Sequence, residues 1–481
     1  MKKLFMALAI PALFVGCSKD EKPKKPSTDG GVHSMFWQEQ PHFAVTNYNN
    51  EPIAGAQILI GEALNVPFEG NFLTTDEAGR VALPSSWDSA QPITVQAAGF
   101  VRSTYLNQEP GALQIKLRRQ ATVKNHYEVR GNTQGLPVKD KDGIVDFGLI
   151  MPAFSKLDIL SFDINKVISP QSDRISAMGQ DIEVPTNISL PKQSEKYSLF
   201  TITLDKPLYR IYFDQPGVQR VYAARGRFPF KSTVDALRKG AEFYELINDF
   251  KINGGGVRDI DIQSPQTSLN IPATELNFTE SKSVVAPSLR GDELFLAVST
   301  ANQSGYLIPT DVKRISSGQK MNLNTLPGAE QWVLGLLKKS AEMKSGEDRM
   351  SATLIPLSAG AAPTMLPLIA NPTLARDGEV LLPRTNSIDG VHPIATYSVL
   401  SKEEEVVQGS AKVKILKPHW EVYAQEWVES IRLPVWPDDA GLTGKKRWEV
   451  NLVGSQTSSQ APIGPAMIES ATHVTHSSVS F

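Results

Sequence analysis

The sequence contains a single cysteine, Cys17, in 481 residues. An intramolecular disulfide is therefore excluded, and buried apolar surface has to stabilise the fold. No segment after residue 16 approaches the ~20 consecutive apolar residues that a membrane-spanning helix needs. An excess of one charge is also lacking, because 49 lysines and arginines stand against 51 acids, for a net charge of -2. This balance argues against a nucleic-acid partner, which would require a basic face.

Motifs that carry enzyme chemistry are missing as well. The sequence has no G-x-S-x-G, H-E-x-x-H, phosphate-binding loop or dinucleotide fingerprint. Only two of its seven histidines, His473 and His476, are close in sequence, and no cysteine stands near them to complete a zinc site. A non-enzymatic role is therefore favoured. A catalytic site assembled from distant residues of 119–481 stays open as an alternative.

The N-terminus has the pattern of an export signal. Two lysines follow Met1, and an apolar run extends from Leu4 to Val15, which predicts a signal peptide over 1–16. The residues Leu13 to Cys17 (LFVGC) resemble the lipobox of bacterial lipoproteins, in which the cysteine is acylated and becomes the new N-terminus. The resemblance implies lipidation of Cys17 and attachment to the membrane through this lipid. Ser18, in place of aspartate, implies the outer membrane.

The segment after Cys17 is polar and rich in lysine, proline and glycine. Such a composition buries too little apolar surface to fold alone. The sequence therefore predicts a flexible tether over residues 17–40.

Three motifs follow in order within residues 41–118. They are PIAGAQI at 52–58, TDEAGRVALP at 75–84 and VQAAGF at 95–100. They resemble the carboxypeptidase regulatory-like domain, although Asn50 replaces the usual glycine. The resemblance implies a seven-stranded, prealbumin-like β-sandwich that is an accessory module and brings no catalytic residues.

Short strand patterns between proline and glycine turns continue to the end of the chain. They predict a mostly β, multidomain fold in which the sandwich is followed by β-rich domains at 119–283 and 284–481. Apolar spacing of three and four predicts a helix near 233–250, ended by the glycines of 253–256. The apolar run after Glu330 fits either a helix or a strand, and a hairpin with the strand near 352–357 is favoured.

One cation site is suggested by alternating carboxylates. Asp140, Asp142 and Asp146 surround Gly143, and calcium prefers such oxygen ligands at a sharp turn. The closing glutamate of an EF-hand loop is missing, so a plain turn between two strands is the favoured interpretation. No other cofactor is expected.

Four of the seven tryptophans lie close together near the C-terminus, at positions 420, 427, 436 and 448. Exposed rings of Trp420, Trp427 and Trp436 would form a platform for carbohydrate. Packing in the core is favoured instead, because Trp448 shares one face of an alternating strand with Val450 and Leu452.

These observations predict a lipid-anchored cell-envelope protein with a structural, adhesive or binding role. Its partner would be another envelope protein or a glycan. A carbohydrate-binding lipoprotein and a periplasmic hydrolase with its catalytic domain in 119–481 are the alternatives.

Overall fold

The computed structural model describes residues 41–48, 50–67, 72–120, 127–134, 144–156, 172–177, 180–185, 208–213, 216–241, 243–345, 349–375, 379–408, 411–437 and 444–481. The chain divides into two units, Met1–Gln40 and Pro41–Phe481, and all of these residues belong to the second. Cys17 and the predicted tether lie outside the described residues.

The fold is mostly β, with 57% strand and 6% helix in several sheets, which confirms the predicted fold class. The strands in chain order are β1 (His42–Asn47), β2 (Gln57–Ile60), β3 (Leu73–Thr74), β4 (Arg80–Ala82), β5 (Gln91–Gln96), β6 (Arg102–Gln108), β7 (Leu113–Leu117), β8 (Tyr127–Gln134), β9 (Ile144–Pro152), β10 (Phe154–Ser155), β11 (Ser172–Ala177), β12 (Gln180–Pro185), β13 (Leu208–Phe213), β14 (Gly217–Pro229), β15 (Lys251–Ile262), β16 (Gln266–Ser268), β17 (Ile271–Pro272), β18 (Leu276–Asn277), β19 (Glu280–Val285), β20 (Glu293–Gln303), β21 (Tyr306–Ile315), β22 (Lys320–Thr325), β23 (Gln331–Lys339), β24 (Met350–Pro356), β25 (Thr373–Leu374), β26 (Val380–Leu381), β27 (His392–Gln408), β28 (Ala411–Ala424), β29 (Ser430–Ile431), β30 (Lys446–Ser455) and β31 (His473–Ser480). Within the described ranges, the α-helices are α1 (Phe230–Arg238), α2 (Ser340–Ser345) and α3 (Met467–Ser470), and short 3-10 turns lie at Phe243–Glu245, Ile247–Asp249 and Gly464–Ala466.

The first seven strands form the two layers of a sandwich. Strands β4, β1 and β7 make one sheet, and β3, β2, β5 and β6 lie in order at the end of a larger sheet. Alternate residues point inward, so Phe43, Ile58, Ile93 and Ile115 belong to one buried core.

The turn before β4 lies in the motif TDEAGRVALP at 75–84. The Asp76 carboxylate accepts hydrogen bonds from the backbone N–H groups of Ala78 and Arg80, at 2.9 and 2.8 Å. Gly79 has a φ of +70°, and a Cβ there would lie 2.5 Å from the carbonyl oxygen of Val45. Glycine is therefore required both by the backbone conformation and by the close approach of β1.

A sheet of 13 strands connects the sandwich to the C-terminal half, in the order β10-β21-β20-β23-β24-β31-β30-β27-β28-β6-β5-β2-β3. Its central link is the parallel pairing of β6 with β28, which places Arg102 opposite Trp420 and Tyr105 opposite Tyr423. The sheet takes strands from all three of the predicted domains. The boundaries at residues 118 and 283 stay predictions.

The two faces of this sheet bury different cores. Tyr397, Val453 and Val474 point to the side that shares the core of the N-terminal sandwich, which we call the sandwich face. Trp420 and Trp448 point to the opposite side, which we call the tryptophan face, and pack there with leucines, valines and isoleucines.

The predicted helix near 233–250 is wrong in its extent. α1 ends at Arg238, two short 3-10 turns follow, and the glycines of 253–256 lie inside β15 rather than after a helix. These glycines permit close backbone approach, because a Cβ at Gly256 would lie 1.9 Å from the carbonyl oxygen of Pro272. The hairpin prediction is confirmed, since β23 pairs antiparallel with β24. In the described part of the chain, no helix is long and apolar enough to cross a membrane.

Candidate functional site

The structure describes one of the three aspartates of the predicted calcium site. Asp140 and Asp142 lie outside the described residues. Asp146 lies in β9, and its carboxylate accepts a hydrogen bond from Nε of Arg227 at 2.6 Å. Among the residues that the structure does describe, no group of three or more histidine, cysteine, aspartate or glutamate side chains is placed to hold a metal ion.

The tryptophans predicted as a carbohydrate platform are largely internal. Trp420 and Trp436 are only 2% and 6% exposed, and Trp448 is 1% exposed. Trp427 is half-buried, and its indole N–H donates to the carbonyl oxygen of Val453 at 2.8 Å. A sugar needs an open ring face, so the platform hypothesis is corrected for Trp420 and Trp436, and the core-packing alternative holds.

Trp420 also links β28 to β6, the two strands at which the N-terminal sandwich joins the rest of the large sheet. Its indole N–H donates to Thr104 Oγ1 at 2.8 Å, and Thr104 Oγ1 lies 2.8 Å from Thr94 Oγ1. The guanidinium of Arg102 lies 4.3 Å from the centre of the Trp420 ring and 4.8 Å from that of Trp436. This cation–π stacking adds to the ladder bonds between β6 and β28.

The most distinctive polar cluster lies on the sandwich face at the same joint. Glu421, near the C-terminal end of β28, is 0% exposed. Arg118, which follows β7, reaches one carboxylate oxygen of Glu421 at 2.6 Å. The hydroxyls of Tyr397 and Tyr423 donate to the two carboxylate oxygens at 2.8 and 3.0 Å. A buried carboxylate needs such a set of donors, because desolvation otherwise disfavours its charge.

Three tyrosine rings form a column beside Glu421. The centre of the Tyr423 ring lies 5.3 Å from that of Tyr105 and 5.1 Å from that of Tyr397. Burial, reinforced by the negative charge of Glu421, raises the pKa of Tyr423 well above its usual value. Burial likewise raises the pKa of Tyr105. Both hydroxyls therefore stay protonated, and Tyr423 acts as a hydrogen-bond donor and not as a base.

A second buried titratable group, His473, lies in β31 on the tryptophan face of the sheet. Its Nε2 lies 3.1 Å from the carbonyl oxygen of Thr364, which can only accept, so Nε2 carries the proton. Nδ1 then accepts from the hydroxyl of Thr472 at 2.8 Å. Thr353 Oγ1 lies 3.1 Å from the same Nε2. With Nε2 protonated, the ring cannot take a proton from Thr353, so this geometry ties strands together and does not activate a nucleophile.

His476 lies on the sandwich face and is also internal. Its Nδ1 is 2.8 Å from Asn451 Oδ1, while the amide nitrogen of Asn451 donates to the carbonyl oxygen of Tyr397 at 3.2 Å. Burial lowers the pKa of His476 to about 4; the nearby carboxylate of Glu449 opposes this shift, and the cations Arg447 and Lys338 add to it. Burial also lowers the pKa of His473 to about 4.

These two histidines make the fold sensitive to acid. Because each pKa is about 4 in the folded state and 6.5 in the reference state, the unfolded chain binds more protons between these values. Stability present above pH 6.5 is then lost on acidification, by up to about 3 kcal/mol for each histidine at pH 4. The free energy of unfolding, measured with urea, should decrease less steeply between pH 7 and pH 4 in His473→Gln and in His476→Gln than in the parent chain. An equal slope in all three proteins would contradict this expectation.

Sequence reasoning missed the cluster around Glu421. The available signal was the carboxylate itself, which interrupts an otherwise apolar run between Trp420 and Val422. An acid at such a position requires a buried partner, but nothing in the local pattern indicates Arg118, which is about 300 residues away in sequence.

Comparisons with known proteins add little. No family model matches the chain, and no curated protein matches it. One solved structure that aligns with it is the Bacillus anthracis TIE protein, at 9% identity and a TM-score of 0.16, over 67% of this chain and 48% of that one. The chain thus spans about half the length of that protein, and a likeness of this degree carries no argument about fold or function.

Proposed function

We propose that this chain is a lipid-anchored protein of the bacterial cell envelope, with a structural, adhesive or binding role. The N-terminal residues support the anchor, because an export signal ends in LFVGC and places Cys17 for acylation. Several acyl chains on one residue make attachment effectively permanent, at about 0.8 kcal/mol for each buried methylene. A tether over 17–40 would let the folded part move roughly 25–30 Å from the membrane.

The observation that carries the proposal is the continuous sheet that joins both ends of the folded chain. The sandwich that follows the tether in sequence shares backbone hydrogen bonds with β28 through β6. Trp420 and the Arg118–Glu421 pair reinforce this joint with buried side chains. A folded chain whose N-terminal and C-terminal parts share one sheet can transmit force through that sheet. This property suits a protein that presents a surface to another envelope component.

The sandwich itself is proposed to be a carboxypeptidase regulatory-like module. Its support is the set of seven strands in two layers, together with the turn in which Asp76 caps backbone amides. In such a role it is an accessory support and contributes no catalytic groups.

Neither alternative function gains support from the described residues. The carbohydrate hypothesis depended on exposed rings, and Trp420 and Trp436 are buried. The hydrolase hypothesis would need a base beside a nucleophile, and the tautomer of His473 leaves no such pair at Thr353.

Replacing Cys17 with serine tests the proposal, because the serine side chain cannot form the thioether that carries the lipid. We expect the parent chain in the membrane fraction, and Cys17→Ser in the soluble fraction or unprocessed at its larger mass. The control is Ser18→Ala, which keeps the thiol and should stay in the membrane fraction. Purified Cys17→Ser protein should then retain a specific component from envelope extracts. Unchanged fractionation of Cys17→Ser would refute the anchor, and retention of nothing would refute the binding role.

A further inference from the structure

The folded unit begins at one end of the N-terminal sandwich. In β1, Phe43 pairs with Leu113, the first residue of β7. β7 follows β6 in the chain, and the end of β6 pairs with the start of β5. The N–H of Gly61, which follows β2, donates to the carbonyl oxygen of Pro92 in β5 at 2.9 Å. The starts of β1, β5 and β7 and the ends of β2 and β6 therefore lie together, and we call this the entry end.

Exposed apolar side chains are concentrated at the entry end. Of the six large apolar side chains that are exposed in the described ranges, three lie here: Val66 at 49%, Leu381 at 44% and Val435 at 68%. Val66 belongs to the loop after β2, and the N–H of Val435 donates to the carbonyl oxygen of Glu62 in the same loop at 2.6 Å. Leu381 pairs with Ser430 in β29, five residues before Val435. We call these three side chains the entry patch.

The entry patch continues outward from a packed core. Trp436, the residue after Val435, is buried, and its ring stacks on that of Phe72 with centres 4.5 Å apart. Leu64 and Leu433 are half-buried and pack against the same core on the tryptophan face. Single exposed apolar residues are normal on a protein surface, but a group that extends from a core indicates a contact surface.

The charged groups near the entry patch do not favour an anionic partner. Glu62 and Glu426 are exposed, as is Arg432. Glu429 forms an exposed ion pair with Arg384. Three carboxylates thus stand against two guanidinium groups in these described segments. A partner for this surface has to offer apolar area and cannot depend on negative charge for attraction.

We propose that the entry patch contacts the lipid bilayer, with its three side chains among the acyl chains. The inference rests on the proposed anchor at Cys17, which lies 24 residues before Pro41, the first residue of the folded unit. A tether of this length joins the chain at the entry end, so it holds this end at a high local concentration next to the bilayer. An apolar contact too weak to bind a free protein is then sufficient, because the tether has already restricted its diffusion.

A polarity-sensitive dye on Val435→Cys tests the contact. In a chain that starts at residue 17 and carries Cys17→Ser, this cysteine is the only thiol, and the whole unit Pro41–Phe481 is kept. A histidine tag before residue 17 attaches the protein to phosphatidylcholine vesicles that contain a nickel-chelating lipid. We expect a blue shift of the dye emission on attachment, and quenching by nitroxide-labelled phosphatidylcholine.

Val218→Cys is the matched control, because Val218 is also 68% exposed but lies elsewhere. It is in β14, where the carbonyl of Arg220 accepts from the N–H of Ala153, directly before β10. β10 and β3 are the opposite edges of the 13-stranded sheet. A dye at position 218 should therefore stay in water and escape the nitroxide lipid. Equal quenching at both positions, or none at position 435 of attached protein, would overturn the proposal. Shielding that depends on protein concentration and not on vesicles would indicate a second copy and would overturn it too.

The tag separates this test from that of the anchor. Attachment through nickel does not need acylation of Cys17, so an unquenched dye at position 435 refutes the contact and leaves the anchor standing. Failure of the anchor is seen instead in the fractionation of Cys17→Ser, whatever the dye reports.

Release from the vesicles by imidazole gives a second measurement. Each valine that leaves the acyl region should weaken the vesicle contact by about tenfold or more. The tagged variant Val66→Asn/Val435→Asn should therefore be released at a lower imidazole concentration than the parent, while Val218→Asn should match the parent. Added sodium chloride should not weaken the contact of the parent, because the contact is apolar. All three proteins should melt at the same temperature, since these side chains are exposed. Equal release of the double variant and the parent would overturn the proposal.

Discussion

Replacing Arg118 with alanine is expected to destabilise the protein by about 3–5 kcal/mol, as is usual when one partner of a buried ion pair is removed. The Arg118 side chain is 11% exposed, and its partner Glu421 is completely buried. Without the guanidinium, the donors that the described residues offer to the carboxylate are the hydroxyls of Tyr397 and Tyr423. Urea unfolding followed by tryptophan fluorescence measures the change.

The adjacent arginine is the control for this prediction. Arg119 is 64% exposed and lies 3.7 Å from Glu51, itself 61% exposed. An exposed pair of this kind contributes about 0–1 kcal/mol, so Arg119→Ala should be close to the parent. Tyr423→Phe, which removes one hydrogen bond to Glu421, should cost about 1 kcal/mol or somewhat more. Equal stabilities of the Arg118 and Arg119 variants would contradict a structural role for the buried pair.

Replacing Trp420 with alanine is expected to cost about 3–5 kcal/mol, because the change empties a large volume in the core. The ring is 2% exposed, bonds Thr104 through its indole N–H and stacks under Arg102. The variant should therefore weaken the joint between β6 and β28. The measurement is again urea unfolding, now followed by far-ultraviolet circular dichroism to avoid the lost fluorophore.

Trp427→Ala provides the comparison, since this side chain is only half-buried and should cost less than Trp420→Ala. If Trp420 belonged to a carbohydrate-binding platform, Trp420→Ala would be expected to change ligand affinity and not stability. If Trp420→Ala kept the stability of the parent and lost affinity for a glycan, the ring would be a ligand contact and not part of the core.

Local features of this fold could be predicted from the sequence. The Asp76 turn and the hairpin of β23 with β24 depend on residues close together in the chain, where turn chemistry and alternation carry the information. The helix near 233–250 was overextended for the same reason, because a run of glycines is also a usual helix end. In β15 these glycines instead lie close to neighbouring backbone, as Gly256 does to the carbonyl oxygen of Pro272, and such tertiary contacts are not visible in the local sequence.

The joint between β6 and β28 could not be predicted in this way. Trp420 and Thr104 are 316 positions apart, and no local pattern pairs β6 with β28. Burial of the tryptophans was indicated by alternation around Trp448, but the partners of Glu421 required the assembled sheet.

The mass of the N-terminal peptide of the mature protein tests the central proposal most directly. If the chain is a lipoprotein, the mature protein purified from membranes will begin at Cys17, and its first peptide will carry the added mass of a diacylglyceryl group on sulfur. A mature chain that begins elsewhere, or a Cys17 that still alkylates as a free thiol, would contradict anchoring at the envelope.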